Sequence, residues 1–267
     1  MSILKVISYN VRCGNANDGL DSWPHRRDRT VAMLRQLDFD LAGLQEPLAF
    51  QLDDILTALP GYRLIGVGRD DGKRDGEYAA ILYRTSRLRP IDSRTFWFSD
   101  TPDVPGSATW GNVCVRICTW SRFEDLVRGH TFTHFNVHVD HESQPSRERS
   151  SQLLLERSRA TSGPVLITGD FNADEDSASI QILFDAGFRD TYRVIHPDIA
   201  DVGTFGGFTD VFNPEKIDYI LVDASADVRD AEIVKQKIDG RWPSDHAVMT
   251  ASINYDMMAP TPCMPSS

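Results

Sequence analysis

Three short segments carry acids and amides whose types and spacing could hold a water molecule, a metal ion or a phosphate oxygen. Asp170 and Asn172 alternate with Phe171, so in an extended chain both polar side chains point to one side. Asn10 and Glu46 each end an apolar, strand-like run. Carboxylate and amide oxygens are the ligands that hard divalent cations prefer. From residues 170 and 172 alone, a turn cap after a strand is an equally good interpretation.

Strands must position these side chains, and most of the predicted strands carry a polar residue at one end. A single histidine at such a position more often packs through a hydrogen bond than takes part in catalysis. Acids, amides and histidines together, however, are what a metal-assisted phosphoryl site needs. The candidate site residues are therefore Asn10, Glu46, Glu77, Arg116, His138, Asp170, Asn172, Asp218, Asp245 and His246.

Hydrophobic periodicity predicts an alternation of strands and helices. Strands are expected at residues 3–9, 40–45, 62–67, 77–84, 88–98, 112–123, 131–139, 165–168, 216–222 and 247–253. Helices are expected at 23–37, 48–59 and 177–186, with a long polar helix after residue 141. The arginines of the first helix, Arg26, Arg27, Arg29 and Arg35, are expected to face solvent rather than a phosphate.

No repeat or linker divides the chain, so we expect a single domain over residues 1–255. The segment 256–267 is rich in Pro, Met and Ser and is expected to be a disordered tail. No secretory signal or membrane span is visible, and this predicts a cytoplasmic protein without an obligate protein partner.

The charge balance limits the possible partners. The formal net charge is −11 and the sequence pI is about 5.0, which disfavours tight nonspecific binding to duplex DNA. It does not exclude phosphate substrates, because bound divalent cations change the local field.

Eight fragments in this order resemble the motif set of the endonuclease/exonuclease/phosphatase superfamily, whose fold is deoxyribonuclease I-like. They are Ser-Tyr-Asn-Val-Arg at 8–12, Leu-Gln-Glu at 44–46, Gly-Glu-Tyr and Ile-Leu-Tyr-Arg within 76–84, Asn-Val-His-Val-Asp-His at 136–141, Gly-Asp-Phe-Asn at 169–172, Lys-Ile-Asp-Tyr-Ile at 216–220 and Ser-Asp-His at 244–246. The resemblance implies an α/β fold, a four-layer α/β/β/α sandwich with two mixed β-sheets.

The resemblance also implies a metal side and a water-activating group. Glu46 with Asn10 would bind Mg²⁺ or Mn²⁺, and Asp245 would help from the other side. Asp170 would orient or deprotonate the attacking water, and Asn172 would position that water or hold a phosphate oxygen.

The remaining implied roles belong to groups that face the phosphate. His246 would contact the scissile phosphate, and Asp218 would fix the tautomer of His246 and favour its charged form. His138 would pair with Glu77 as a second histidine–carboxylate dyad. Arg116 would reach the phosphate from the neighbouring strand.

These roles predict a metal-dependent phosphoester hydrolase, a phosphodiesterase that acts on a small or single-stranded phosphodiester. One alternative is a nuclease for DNA or RNA, which needs a positive groove lined by Arg69, Lys73 and Arg74. A second is a non-catalytic module that binds a phosphate ligand, although every expected ligand position is filled. Asp140 and His141 are expected to be structural. Trp110, Phe205 and Phe208 are expected either to line a substrate pocket or to pack in the core.

Overall fold

Six strands form a first mixed sheet. The computed structural model describes residues 3–255 of the chain. In spatial order the strands are β11, β12, β1, β2, β4 and β3, and β1 and β2 are parallel while their neighbours run antiparallel. Their bounds are β1 Leu4–Asn10, β2 Leu41–Gln45, β3 Tyr62–Ile65, β4 Ala79–Arg84, β11 Ala226–Val234 and β12 Val248–Tyr255.

The second sheet repeats this plan with the spatial order β5, β6, β7, β8, β10 and β9. Here β7 and β8 are the parallel pair and the other neighbours are antiparallel. The bounds are β5 Leu88–Trp97, β6 Ile117–Asp125, β7 Thr131–His138, β8 Val165–Asp170, β9 Arg189–Asp190 and β10 Asp218–Val222.

Helices cover the outer faces of both sheets. One apolar cluster joins α1 (Trp23–Leu37) and α2 (Ala49–Ala58) to the first sheet, and another joins α3 (Gln144–Arg159) and α4 (Ala178–Asp185) to the second. A third cluster lies between the sheets and includes Val6 and Ile81 from one and Phe123 and Leu166 from the other. A short helix, α5 (Thr191–Ile195), follows β9. The predicted four-layer sandwich is confirmed.

The two sheets approach closely beneath one end of their central strands. A Cβ atom added to Gly43 of β2 would lie 1.9 Å from Thr168 Oγ1 in the opposite sheet. Asn136 fills the same space and donates to the carbonyls of Leu44 and Ala80, each at 2.9 Å. Buried amides are stable only when such partners are present. This polar contact therefore fixes the register of one sheet against the other.

Some expectations about elements were wrong. The predicted strand 112–123 begins only at Ile117, because the backbone N–H of Val113 donates to Asp140 instead of to a neighbouring strand. The predicted strand 216–222 begins at Asp218. Arg26, expected at the solvent-facing surface of α1, is fully buried, because its guanidinium donates to backbone carbonyls.

The predicted tail, residues 256–267, lies outside the described residues, and the single-domain boundary stays a prediction. Within residues 3–255, every helix is too short or too polar to cross a membrane.

Candidate active site

The polar strand ends meet at one end of the sandwich because of the strand directions. The parallel strands β1, β2, β7 and β8 finish there, whereas the antiparallel strands β4, β6, β10 and β12 begin there. Each of these strands brings a predicted site residue to this end. The first group contributes Asn10, Glu46, His138, Asp170 and Asn172, and the second contributes Glu77, Arg116, Asp218, Asp245 and His246.

These residues surround a cavity of about 580 Å³, a size typical of sites for small ligands. Most of the predicted residues line it directly, whereas Asn10 and Asp218 lie behind its wall and act through their neighbours. The structure therefore brings the whole predicted set together. Their individual roles stay predictions.

Asn10 links two of the carboxylates. Its Nδ2 donates to Glu46 Oε1 and to Asp170 Oδ2, both at 2.9 Å. Its Oδ1 accepts from the backbone N–H of Arg12 at 2.9 Å. In this arrangement the amide oxygen of Asn10 is engaged with the backbone, and the amide nitrogen orients both acids. The geometry favours Asn10 as the residue that positions Glu46 and Asp170.

Glu46 offers the chemistry that a divalent cation needs. Its carboxylate, an oxygen of Asp170 and a ring nitrogen of His138 all lie within 4.8 Å of one another. Burial acts to raise the pKa of Glu46, but the hydrogen bond from Asn10 and the charge of His246 outweigh it and lower that pKa. An ionised oxygen donor at a cavity wall suits Mg²⁺ or Mn²⁺, so the residues present fit the predicted metal.

Three non-glycine residues of the site have left-handed backbones. Their φ angles are 59° for Arg12, 71° for Glu46 and 46° for Asn172. Each lies just after the carboxyl end of a strand, so the chain turns sharply there and brings side chain and backbone toward the cavity. Such conformations cost of order 1–3 kcal/mol each and cluster at functional sites.

Asp170 lies at the centre of the site because of its strand register. On β8 it pairs with His138 of β7 and with Asp218 of β10. Its Oδ1 accepts from the backbone N–H of Asn172 at 2.9 Å, and Asn172 Nδ2 donates to the carbonyl of Val139 at 3.1 Å. Burial, with a further contribution from the charge of Asp218, raises the pKa of Asp170 to about 7.

His246 and Asp218 form a buried dyad. His246 Nδ1 lies 2.9 Å from Asp218 Oδ2, and the ring of Phe205 packs edge-on against the imidazole with centroids 5.0 Å apart. Burial alone would lower the pKa of His246, but the Asp218 carboxylate outweighs burial and raises that pKa well above its usual value. The imidazole Nε2 atom is then a charged donor, 3.9 Å from Asp170 Oδ2.

Arg116 and Arg69 line the wall of the cavity that faces the metal side. Arg116 donates to His138 Nε2 at 2.8 Å and to His141 Nδ1 at 2.9 Å. Glu77 accepts from Arg69 at 2.5 Å, while its Oε2 lies 3.9 Å from His138 Nδ1, longer than a hydrogen bond. Burial and the charge of Arg116 lower the pKa of His138 well below its usual value. His138 therefore accepts from Arg116 as a neutral ring, and its predicted pairing with Glu77 stays a prediction.

Asp245 lies on the metal side with a cation of its own. Arg12 Nε lies 3.5 Å from Asp245 Oδ2, and the same guanidinium forms two hydrogen bonds to Asp18 at 3.0 Å. Burial raises the pKa of Asp245, although the charge of His246 opposes this. Arg12 was not among the predicted site residues, although its position two residues after Asn10 was a signal for it.

The residues expected to be structural or to line a pocket differ in where they lie. Phe205 and His141 line the cavity, whereas among the described residues Trp110 and Phe208 do not. Asp140 is fully buried and accepts from the backbone N–H groups of Val113, Glu142 and Ser143, a structural role. Sequence reasoning also missed Cys13, whose backbone N–H donates to Glu46 Oε2 at 2.8 Å.

Comparisons with known proteins agree with this geometry. The sequence profile described as the endonuclease/exonuclease/phosphatase family matches residues 7–246. A solved structure of a family protein from Bacteroides thetaiotaomicron is 36% identical with a TM-score of 0.89, over 96% of this chain and 99% of that one. A mannosyl-6-phosphatase from the same organism is 37% identical with a TM-score of 0.87, over 94% of this chain and 100% of that one. Among curated sequences, the uncharacterized protein L388 of Acanthamoeba polyphaga mimivirus is 28% identical over 68% of this chain and 70% of its own length.

Proposed function

This chain belongs to the endonuclease/exonuclease/phosphatase family, and from that premise we propose that it is a metal-dependent phosphoester hydrolase in which Asp170 activates the attacking water. The observation that carries the proposal is the position of Asp170. It shares the amide of Asn10 with Glu46 and lies within 4 Å of His138 and His246, at 3.7 and 3.9 Å. A water activated there is next to both the metal side and the phosphate-binding side.

Glu46, with Asn10 behind it and Asp245 nearby, is the residue that would hold Mg²⁺ or Mn²⁺. The ion would supply positive charge beside the phosphoryl oxygens. Asp170 accepts a proton from water, and a pKa of about 7 suits a general base that works near neutral pH. Asn172 positions the same water or a phosphate oxygen.

His246 and Arg116 stabilise the charge that develops on the phosphoryl oxygens. His246 is charged through Asp218, and Arg116 forms no ion pair with a carboxylate among residues 3–255 although it is only 4% exposed. A buried cation without an acidic partner is ready to bind an anion. Preorganised donors of this kind are the main source of rate in phosphoryl transfer.

We propose a small substrate, with a small phosphodiester as the first candidate, because the cavity has the volume of a small-molecule site. A small phosphomonoester is the second candidate, favoured by the 37% identity to a mannosyl-6-phosphatase. The nuclease alternative gains little support. Arg69 lines the cavity but is paired with Glu77, and Arg74 is paired with Asp53 away from the residues that line the cavity.

The test is hydrolysis of a panel with Mg²⁺, Mn²⁺ or a chelator. The panel holds an aryl phosphodiester, an aryl phosphomonoester, mannose 6-phosphate, single- and double-stranded DNA, and RNA. Asp170→Asn is the inactive variant, and Asp239→Asn is the matched control because Asp239 is exposed with a left-handed φ of 50° that asparagine tolerates.

Metal-dependent turnover that Asp170→Asn abolishes and Asp239→Asn preserves is the expected result. The preferred panel member then decides between phosphodiester, phosphomonoester and nucleic acid. Full activity of Asp170→Asn would remove Asp170 from its role. Phosphate binding by calorimetry without turnover on any panel member would favour the non-catalytic module.

A further inference from the structure

We infer that Arg26, a buried residue of α1, is a positioning residue that holds together the two loops flanking the metal side of the site. The inference rests on the proposed function for its catalytic consequence, but the contacts that carry it are independent of that function. One loop follows β1 and includes Val11 and Arg12. The other precedes β12 and includes Pro243.

The guanidinium of Arg26 reaches both loops. Nη1 donates to the carbonyl of Val11 at 2.5 Å, and Nη2 donates to the carbonyl of Arg12 at 2.6 Å. A longer contact of 3.5 Å runs from Nη1 to the carbonyl of Pro243. Thr30, one turn later on the same helix, donates to that Pro243 carbonyl at 2.7 Å. One face of α1 is thus bonded to both loops.

Each loop leads directly into a predicted metal-side residue. Val11 follows Asn10, whose amide orients Glu46. Pro243 precedes Ser244, whose hydroxyl donates to the carbonyl of Asn10 at 2.7 Å, and Asp245 comes next. The contacts of Arg26 therefore set the distance between the segment that carries Asn10 and the segment that carries Asp245.

Packing alone does not account for an arginine at this position. Arg26 is 0% exposed, and none of the ion pairs within residues 3–255 includes it. Its guanidinium lies over the rings of Trp23 and Phe208, at 5.0 and 5.9 Å. Burying a charge costs several kcal/mol per ion unless geometry and hydrogen bonds compensate. An apolar side chain would fill the volume without that cost. What the arginine adds is therefore its set of guanidinium N–H donors, which bind the carbonyls of the two loops.

Lysine cannot replace this fork. A guanidinium is planar and presents donors in fixed directions, whereas an ammonium is a compact point charge. The Arg12 carbonyl, which Arg26 and Gln51 both approach as donors, belongs to a residue with a left-handed φ of 59°. Holding that strained residue in place also holds its side chain beside Asp245 at 3.5 Å.

The first measurement is local hydrogen exchange of the full chain, by mass spectrometry, in Arg26→Lys and Arg26→Met. We call the contacts of Arg26 with the loops after β1 and before β12 the clamp. If the clamp holds these loops, the backbone amides of peptides covering 10–14 and 243–247 should exchange about 10-fold or more faster in the variants, with little change in α3 and β7. Arg27→Lys is the matched control, because Arg27 is on the same helix with a side chain 48% exposed. Uniformly faster exchange across the chain, or no local change in either variant, would overturn the inference.

The second measurement is Mn²⁺ binding by calorimetry, with turnover measured in parallel. Loss of a residue that orients ligands costs about 10- to 100-fold in metal affinity or activity, and we expect kcat to fall more than KM changes. Guanidinium at low millimolar concentration should restore part of the Mn²⁺ affinity of Arg26→Ala but not of Glu46→Gln. Unchanged affinity and kcat in a folded Arg26→Met protein would overturn the clamp.

The two proposals fail separately. Wild-type protein that neither binds Mn²⁺ nor hydrolyses the panel would refute the proposed function, while local exchange at 10–14 and 243–247 would still decide the clamp. If Arg26→Met does not fold, Arg26→Lys decides, since it keeps the charge and most of the volume.

Discussion

Replacing Asp218 with asparagine removes one charge and almost no volume at the first residue of β10 in the second sheet. Asp218 is 0% exposed, and its Oδ2 lies 2.9 Å from His246 Nδ1. The second carboxylate oxygen, Oδ1, has no hydrogen-bond partner among the described residues. The direct hydrogen-bond partner of Asp218 is therefore His246, although the charge of Asp218 also contributes to the raised pKa of Asp170.

The effect expected for Asp218→Asn has two parts, the loss of a charged hydrogen bond and the change in the pKa of His246. A hydrogen bond to a charged group contributes about 1.5–3 kcal/mol, against about 0.5–1.5 kcal/mol for a neutral one, so the direct loss is about 1–2 kcal/mol. The larger part comes from the pKa. Burial lowers the pKa of His246, and the Asp218 carboxylate is the largest of the influences that raise it, ahead of the charges of Asp245 and Asp170. Without the Asp218 carboxylate the pKa of His246 falls and the charged form of the imidazole is disfavoured, and loss of one charged contact to the transition state costs about 100- to 1000-fold in kcat.

The assay is steady-state hydrolysis of the best panel substrate at saturating Mg²⁺ and pH 7. We expect kcat of Asp218→Asn to fall by about 100- to 1000-fold while Asp239→Asn keeps wild-type activity. Because Asp218 acts through His246, the double variant with His246→Gln should be no slower than His246→Gln alone. A loss below about tenfold, or multiplication of the two single effects, would refute the reasoning.

Three further outcomes test other parts of the structure. Glu46→Gln should abolish metal-dependent turnover and weaken Mn²⁺ binding in calorimetry, and retained activity at ordinary Mg²⁺ would exclude Glu46 as the main ligand. Lys216 is 0% exposed, 2.9 Å from Asp190, so Lys216→Met should lower the free energy of unfolding in urea by about 3–5 kcal/mol, and a loss below about 1 kcal/mol would contradict this. Burial lowers the pKa of His134 from 6.5 to about 3, so the unfolded chain binds more protons between these values and stability is lost as the pH falls. From pH 7 to 5 this loss should exceed that of His134→Gln by about 2 kcal/mol, and parallel pH profiles would show that His134 is not buried as a neutral ring.

The convergence of the site could be predicted from the chain because it follows from strand direction. Polar residues after β1 and β8 and before β4 and β12 meet only if those strands alternate in direction as the two mixed sheets require. The positions of Asn10, Asp170 and His246 at strand ends therefore already contained the site. The family resemblance supplied the four-layer arrangement with two mixed sheets, which periodicity alone does not give.

The choice of partners within the site could not be predicted, because it depends on loops that the strand pattern does not describe. Glu77 accepts from Arg69, eight residues earlier, because the 66–78 loop returns Arg69 to the same wall. The left-handed backbone of Glu46, with φ of 71°, likewise has no signature in a Leu-Gln-Glu fragment.

The prediction that Arg26 faces solvent was wrong for a different reason, because the sequence did contain a pattern that indicates burial. Arg26, Thr30 and Leu34 recur at intervals of four residues, and all three are buried on the same face of α1. The sequence predicts that Leu34 is on the apolar stripe and that Arg26 faces solvent, because charged residues are rarely buried without partners. The partners exist, but they are backbone carbonyls of residues 11 and 12, and sequence periodicity carries no information about these.

The acidic net charge and an anionic substrate are compatible because the charges of the cavity are divided between two walls. On the metal side, Arg12 is already bonded to Asp18 and Asp245, so the acids there exceed the cations and favour a divalent ion. On the opposite wall, the described hydrogen-bond partners of Arg116 are the rings of His138 and His141. The cavity is also lined by His246, whose pKa the Asp218 carboxylate raises. A phosphate between the walls would meet the Arg116 guanidinium on one side and the residues proposed to hold the metal on the other. Local pairing, and not the net charge of −11, therefore decides whether a phosphate binds.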